Sequence, residues 1–436
     1  MRLTDTEQAM LDGREGKAKQ KAMDLLVRYG DALGAERFVD TTNVAGVPAY
    51  YSPVLLDYYK VTPDDAYDVI YSRFDLDSDE VVEVPKMMVN SCGLQGGVDA
   101  EGWKTLGKSY EALRMSERSE AASAARGVRI LKTCTPYLAG NVPKQGEHCA
   151  WMESSAVVYC NSVLGARTNT EGRESTSAAM LTGKIPDWGF HRDEFRFATH
   201  HIRVEVDVAS VMDWGMLGYF IGAAVEEHGG PMGRRIPVVT GRLSEPDLIR
   251  HKHFGAAAAS SGGVELYHLE RMTPEAPTLR QALGSKPPVA VIPYGKAEQR
   301  RTYDELNARA GDPNVDFVML GCPHAALEQL REVAALLDGR RISENCRLWV
   351  FTSRAIKAEA DASGYTAVIR AAGGTVLTDT CSSIAQAVPP GTKVVALDSA
   401  KQTHYLPAIM GIQAWFGTTA DCIEAALTGR WNGRRP

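Results

Sequence analysis

No stretch of this 436-residue sequence approaches the about 20 unbroken apolar residues that a membrane-spanning helix needs. The opening residues, Met1-Arg2-Leu3-Thr4-Asp5, carry no apolar leader, so the expected compartment is the cytoplasm. Excess positive charge is missing too: 48 Lys and Arg face 54 Asp and Glu, for a net charge of −6. That balance argues against a nucleic-acid partner, whose footprint is a basic stripe. Cysteine is scarce, and 8 residues are too few for a disulfide scaffold in so long a chain. No C-x-x-C pair, G-x-S-x-G elbow or H-E-x-x-H run occurs, which removes the commonest zinc and serine-nucleophile signatures. Fixed-period repeats and Pro- or Ser-rich linkers are also absent.

Glycine is plentiful instead, 40 residues or about 9% against a usual ~7%. The glycines sit singly or in pairs at the ends of apolar runs. At about 150 residues per domain the length predicts two or three domains.

Thr4 and Glu7 have capping-box spacing, and Ala18, Ala22, Leu25, Leu26, Tyr29 and Leu33 recur at helical period, with an interruption expected at Gly30. The apolar stretch 81–89 predicts a strand running into an Asn90-Ser91-Cys92-Gly93 loop. A helix is expected over 103–125, then a strand at 128–131. The middle, about 140–200, is dense in polar groups interleaved with Ala, Val and Leu, which reads as a polar surface brought into a cleft. Beyond 285 the pattern is regular. Strands are predicted at 288–292, 316–320, 347–351 and 393–397, with helices over 297–308, 325–337 and 354–372. Such alternation means a parallel α/β sheet. The expected division is 1–80, 81–284 and 285–436.

Function collects at the carboxyl ends of parallel strands. Three cysteines follow apolar runs there: Cys134 in Lys-Thr-Cys-Thr-Pro, Cys322 in Gly-Cys-Pro-His and Cys381 in Asp-Thr-Cys-Ser-Ser. Brought together, their thiolates suit an iron–sulfur cluster with one open iron, or a zinc site with an open position. Each taken alone reads equally as a small buried hydrophobe. Cys149, Cys160, Cys346 and Cys422 fall in packing contexts, and Cys92 is ambiguous. Lys401, on the first turn after an apolar strand, is placed to hold a carboxylate or phosphate. Asn90 and Ser91 are candidate polar contacts, and Ala45-Gly46-Val47-Pro48 offers backbone N–H groups. His148, beside Glu147, and the pair His200-His201 are acid/base candidates. His324 caps the next helix or touches the site. The stretch 257–263 bears glycine without dinucleotide-site spacing.

The ordered set of motifs is specific. Leu3-Thr4, Gly13, Lys21-Ala22-Met23, Gly146-Glu147-His148, Glu153-Ser154-Ser155-Ala156-Val157, Asn161 through Asn169, Gly321-Cys322-Pro323-His324, Asp379-Thr380-Cys381 and Ser399-Ala400-Lys401 together resemble the large subunit of the aconitase X family, from the first residues to the last helix.

The resemblance implies an aconitase-like α/β architecture, with parallel sheets around a central cleft. It implies an iron–sulfur-dependent hydro-lyase acting on a small hydroxy acid, with Cys134, Cys322 and Cys381 as cluster ligands. The implied substrate positions are Gly46, Val47, Pro48, Asn90, Ser91 and Lys401. Pro48 stands where the family's loop often has Ser, which limits that contact to backbone. The family's swivelling domain is expected on a separate small subunit that completes the site, since the sequence ends just after its last helix. Two substrates are implied. Cis-3-hydroxy-L-proline, giving a pyrroline-2-carboxylate, is favoured because no Lys or Arg adjoins the Gly46 and Asn90 loops in sequence. Mevalonate 5-phosphate is the alternative. A zinc or thiol enzyme and a non-catalytic scaffold subunit are the readings of other classes.

Overall fold

The computed structural model describes residues 1–47, 51–230 and 234–435. Three α/β units follow one another along the chain. In the first, Thr4 Oγ1 accepts from the Glu7 amide (3.3 Å) and Glu7 Oε2 accepts from the Thr4 amide (2.8 Å), the reciprocal cap predicted for the opening helix Asp5–Leu11. The next helix, Lys17–Leu33, runs through Gly30 without a break and buries Ala18, Ala22, Leu25 and Leu26.

The first unit carries β1 (Phe38–Asp40), β2 (Asn43–Gly46), β3 (Asn90–Gly93), β4 (Val128–Ile130), β5 (Cys149–Trp151) and β6 (Lys184–Pro186). Its parallel sheet has the order β4-β3-β2-β5, and β1 and β6 form an antiparallel pair. The second unit carries β7 (His200–Val208), β8 (Pro237–Leu243), β9 (His268–Leu269) and β10 (Ala290–Tyr294), parallel in the order β10-β7-β8-β9. The third carries β11 (Phe317–Ala325), β12 (Arg347–Thr352), β13 (Thr375–Thr378), β14 (Val394–Leu397) and β15 (Gln413–Phe416), parallel in the order β13-β12-β11-β14-β15. All nine residues of β11 are buried, as expected of a central parallel strand covered on both faces.

The sheets cut across two expected boundaries. β2 pairs with β3, so no division falls near 80, and β10 pairs with β7, so residues after 285 still belong to the second sheet. The expected strand at 81–89 is unpaired. Its Val82 amide bonds Ser72 Oγ (3.1 Å) and its Val84 amide bonds Asp68 Oδ1 (3.2 Å), while the Met87 and Met88 amides bond the Arg126 and Met180 carbonyls (both 2.8 Å), so two side chains and two separate carbonyls take the place of a ladder. The helix expected over 354–372 is two, Arg354–Ala362 and Tyr365–Ala371, broken at Gly364 with φ 80°. The glycine-bearing stretch at 257–263 closes the helix Leu248–Gly262, with Gly263 as its left-handed cap, and the helix packs against the helix Val211–His228. A Cβ on Gly262 would stand 1.8 Å from the Gly222 carbonyl oxygen, so close packing explains it. Among the described residues no helix is long and apolar enough to cross a membrane.

Candidate functional site: a three-thiol centre

Two strand orders point to the same place. In the third sheet the chain steps from β11 outward through β12 and β13, then returns to β14 on the other side of β11. In the first it steps from β2 through β3 and β4, then returns to β5 on the other side of β2. Each reversal leaves a crevice at the strands' carboxyl ends. Lys401 and Cys322 flank one crevice, Cys322 lying not after β11 as expected but within it, in the bulge between Leu320 and Ala325 where the regular pairing with β12 breaks; Gly46 and Glu153 flank the other. The two sheets meet there, with the Gly96 amide donating to the Asp379 carbonyl (2.8 Å).

Each cysteine follows, by one or two residues, a backbone position in the left-handed region: Lys132 (φ 44°), Gly321 (φ 87°) and Asp379 (φ 68°). At Gly321 a Cβ would lie 2.0 Å from the Phe351 carbonyl oxygen, so only glycine fits. The other two strained turns are held by charge. Arg354 binds Asp379 through two contacts of 2.7 and 2.6 Å and Glu120 through two of 2.9 and 3.0 Å, and Glu120 in turn accepts from Lys132.

Cys134 and Cys322 are buried, and Cys381 is partly exposed. Burial pushes the Cys134 thiol well up and Cys381 up to about 12, with the Cys322 thiol adding to both. Burial also raises Cys322, and Lys401 opposes the shift. Lys401 Nζ donates to Glu153 Oε1 (2.7 Å). Burial works against its charge, but Glu153 and the thiols of Cys322 and Cys134 outweigh burial and raise its pKa. Glu153 has φ 79°, and its Oε2 accepts from Ser155 Oγ (2.7 Å) and the Ala156 amide (2.9 Å), capping the helix Ser154–Ser162.

The remaining candidates divide. Gly46 ends β2 at the crevice, and Val47 lines a small cavity of about 50 Å³ with Gly93, Glu120 and Lys132. A lysine therefore does adjoin this loop in space, although none does in sequence. Pro48 lies outside the described residues. Asn90 and Ser91 begin β3 rather than follow a strand. Asn90 pairs in register with Asn43 while Gly93 pairs with Gly46, so at about 3.3 Å per residue Asn90 sits roughly 10 Å and Ser91 roughly 7 Å from the carboxyl end. Asn90 is exposed and bonds Asn141 (3.3 Å), and Ser91 Oγ donates to the Val89 carbonyl (3.0 Å). His148 precedes β5, at the end opposite Glu153. Its Nδ1 meets His191 Nδ1 at 3.0 Å in a surface cavity of about 470 Å³ with Arg37, Arg167 and Asp187. His200 bonds Thr199 (2.8 Å) and His201 bonds Thr240 (2.8 Å), both within the second unit. The structure thus brings Cys134, Cys322, Cys381, Lys401, Gly46 and Val47 to the carboxyl-end crevices, and leaves Asn90, Ser91 and His148 at the opposite strand ends.

Two residues at the centre went unread as site residues in the sequence. Glu153 lies in the Glu153-Ser154-Ser155-Ala156-Val157 motif, but its bond to Lys401 spans 248 positions. Lys252, fully buried on the helix Leu248–Gly262, carried no signal among alanines and histidines. Gly102-Trp103-Lys104-Thr105-Leu106-Gly107-Lys108-Ser109 fits the phosphate-loop spacing G-x-x-x-x-G-K-S. Its amides are spent internally, Leu106 on Gly102 (3.0 Å) and Lys108 on Trp103 (2.8 Å), and Lys108 Nζ donates to the Ala385 carbonyl (2.6 Å). It is no phosphate cradle.

A lone zinc ion needs its ligands drawn to one point. Among the described residues no group of three His, Cys, Asp or Glu side chains is so gathered. Three thiols from three loops, one lysine, and two buried orphan polar atoms, Tyr137 Oη and Ser382 Oγ, beside Cys134 and Cys381, make a donor set of the chemistry that would hold an iron–sulfur cluster.

Fold and site together define a three-unit α/β protein built around a buried thiol-and-lysine centre at the strands' carboxyl ends. Family models for the aconitase X first, second and third domains match residues 1–194, 198–304 and 315–428. The chain belongs to the aconitase X family. A phosphomevalonate dehydratase large subunit from Methanothermobacter thermautotrophicus is 39% identical over 428 residues, 97% of this chain and 98% of that one. A cis-3-hydroxy-L-proline dehydratase from Pseudomonas aeruginosa is 34% identical over 98% of this chain and 70% of its own. The crystal structure of Thermococcus kodakaraensis aconitase X in its holo-form superposes with a TM-score of 0.79 at 30% identity, over 98% of this chain and 100% of that one.

Proposed function

We propose that this chain is the catalytic large subunit of an iron–sulfur dehydratase that removes water from a small hydroxy acid. The observation that supports the reading is the Lys401–Glu153 pair, whose lysine lies close enough to act on the thiols of Cys134, Cys322 and Cys381 alike. In this reading Cys134, Cys322 and Cys381 would hold the cluster, which would supply Lewis-acid help to the departing hydroxyl. Lys401 anchors the substrate carboxylate. Glu153, with both oxygens already engaged, fixes the ammonium rather than serving as base. Gly46 and Val47 lend backbone to the ligand. The base comes from a separate small subunit, a partner suggested by the "large subunit" in the relatives' names. Eight free cysteines suit a reducing, cytoplasmic setting.

The substrate favoured is cis-3-hydroxy-L-proline. Lys132 and Arg354 are already committed to Glu120 and Asp379, which suits a substrate with one anionic group better than one that adds a phosphate. Mevalonate 5-phosphate is the second reading, favoured by the end-to-end match to relatives named for it. Anaerobic assay of both acids, with the small subunit present, tests the proposal. Turnover of hydroxyproline alone supports the first reading, turnover of the phosphate ester alone the second, and turnover of neither overturns both.

A further inference from the structure

We propose that His324 is a positioning residue for the thiol centre, a clamp whose contacts tie the three cysteine loops to one another. The inference rests on the reading that these cysteines hold an iron–sulfur cluster.

His324 is 1% exposed and stands two residues after Cys322. Its Nδ1 lies 2.9 Å from Thr133 Oγ1, on the residue before Cys134. Its Nε2 lies 2.8 Å from the Thr380 carbonyl oxygen, on the residue before Cys381. Its amide donates to Cys134 Sγ at 3.3 Å. A carbonyl only accepts, so Nε2 carries the hydrogen, and in the neutral ring Nδ1 accepts from the Thr133 hydroxyl. One imidazole thereby fixes the separation of loops that are 191 and 56 residues away in sequence. Thr133 Oγ1 also accepts from the Thr135 amide (3.1 Å), so the same bond braces the turn around Cys134.

The clamp is itself anchored from the second unit. Lys252 Nζ donates to the Pro323 carbonyl (3.0 Å), the His324 carbonyl (2.7 Å) and Gln329 Oε1 (2.5 Å). A buried histidine satisfied by chance would find partners anywhere in the core. Each polar contact of His324 with the other two loops instead lands on a cluster cysteine or on the residue beside one. Partners of this kind, one step out from metal-binding thiolates, set ligand spacing and the electronic character of the sulfurs.

The test uses anaerobically purified full-length chain as wild type, His324→Ala, His324→Asn, Thr133→Val and Leu330→Ala. Iron and sulfide content, the electron paramagnetic resonance spectrum after reduction, and the half-life of the visible absorption under a chelator are read for each. The expected result is a cluster half-life at least tenfold shorter in His324→Ala, with an altered resonance spectrum. Thr133→Val shifts the same way by less, and His324→Asn, which keeps a polar group toward Thr133, recovers part of the loss. Leu330→Ala, a core truncation of the third unit, lowers thermal stability but leaves the spectrum unchanged. A loaded wild type beside His324→Ala or Thr133→Val with wild-type spectrum and half-life overturns the clamp alone. Should His324→Ala fail to fold, Thr133→Val decides. A wild type without iron or visible absorption overturns the cluster reading, and the clamp with it.

Discussion

Lys401 Nζ and Glu153 Oε1 meet at 2.7 Å across 248 residues of sequence, one at the crevice of the third sheet and one at that of the first. Both side chains are largely buried, at 13% and 15% exposure. Removing one partner strands a buried charge, at a cost of about 3–5 kcal/mol. Lys401→Met and Glu153→Gln are each expected to lose stability on that scale, and the double variant to lose clearly less than their sum. Urea unfolding of the four proteins measures the coupling, and strict additivity would show that the pair does not act as a unit. Lys401→Met should also lower kcat/KM by about 100-fold or more, the scale of a lost electrostatic contact to the transition state.

Cys322 and Cys346 are both buried, but Cys322 acts on the thiols of Cys134 and Cys381 and has Lys401 beside it, whereas Cys346 has none of these. Cys346 sits in the apolar core of the third unit. Cys322→Ser is expected to lose most of the bound iron and the visible absorption, and Cys346→Ser to keep both. Equal iron in the two purified variants would remove the ligand assignment.

How much of this was legible in the sequence depends on how local each signal is. β11, β12 and β14 are short continuous apolar runs between helices, and they lie close to where the pattern predicts them. Because parallel strands carry function at their carboxyl ends, the three cysteines stood out without any structure. The first sheet was harder: β2 to β5 have only three or four residues each and pair across long separations. The apolar stretch before Asn90 looks like a strand, which is why the sequence places Asn90 after one. The Val82 and Val84 amides of that stretch go to the side chains of Ser72 and Asp68, and the Met87 and Met88 amides to the Arg126 and Met180 carbonyls, facts of tertiary structure. Glu153's left-handed backbone and distant lysine leave no local trace.

Gly321→Ala tests the tight turn before Cys322. The added Cβ meets backbone at 2.0 Å at a φ of 87°, so the bulge in β11 has to move. The expected loss is about 2–4 kcal/mol, from left-handed strain plus the clash, with cluster content falling alongside. Gly391→Ala is the control, since φ is 82° there but nothing lies within 4 Å of the new Cβ. That variant should lose only about 1 kcal/mol, the cost of the left-handed backbone alone. Equal losses in thermal unfolding would mean that the contact with Phe351 is relieved without consequence.

His191 predicts an acid sensitivity located far from the thiols. It is buried against His148, Nδ1 to Nδ1 at 3.0 Å, and its Nε2 has no partner among the described residues. Burial, with His148, Arg196 and Arg167 adding, pushes its pKa down to about 3. In the unfolded chain it returns to about 6.5. Between those values the unfolded state binds one proton more than the folded state. Stability is therefore complete above about pH 6.5 and falls as the pH drops, by up to about 1.4 kcal/mol per pH unit from this one group. His191→Gln removes the titration while keeping a polar side chain. It should be somewhat less stable than wild type at pH 7.5, and its stability should decline less steeply from pH 6.5 to 5. Urea midpoints at pH 7.5, 6.5, 5.75 and 5 read the two slopes, and parallel slopes would assign the acid sensitivity to other groups.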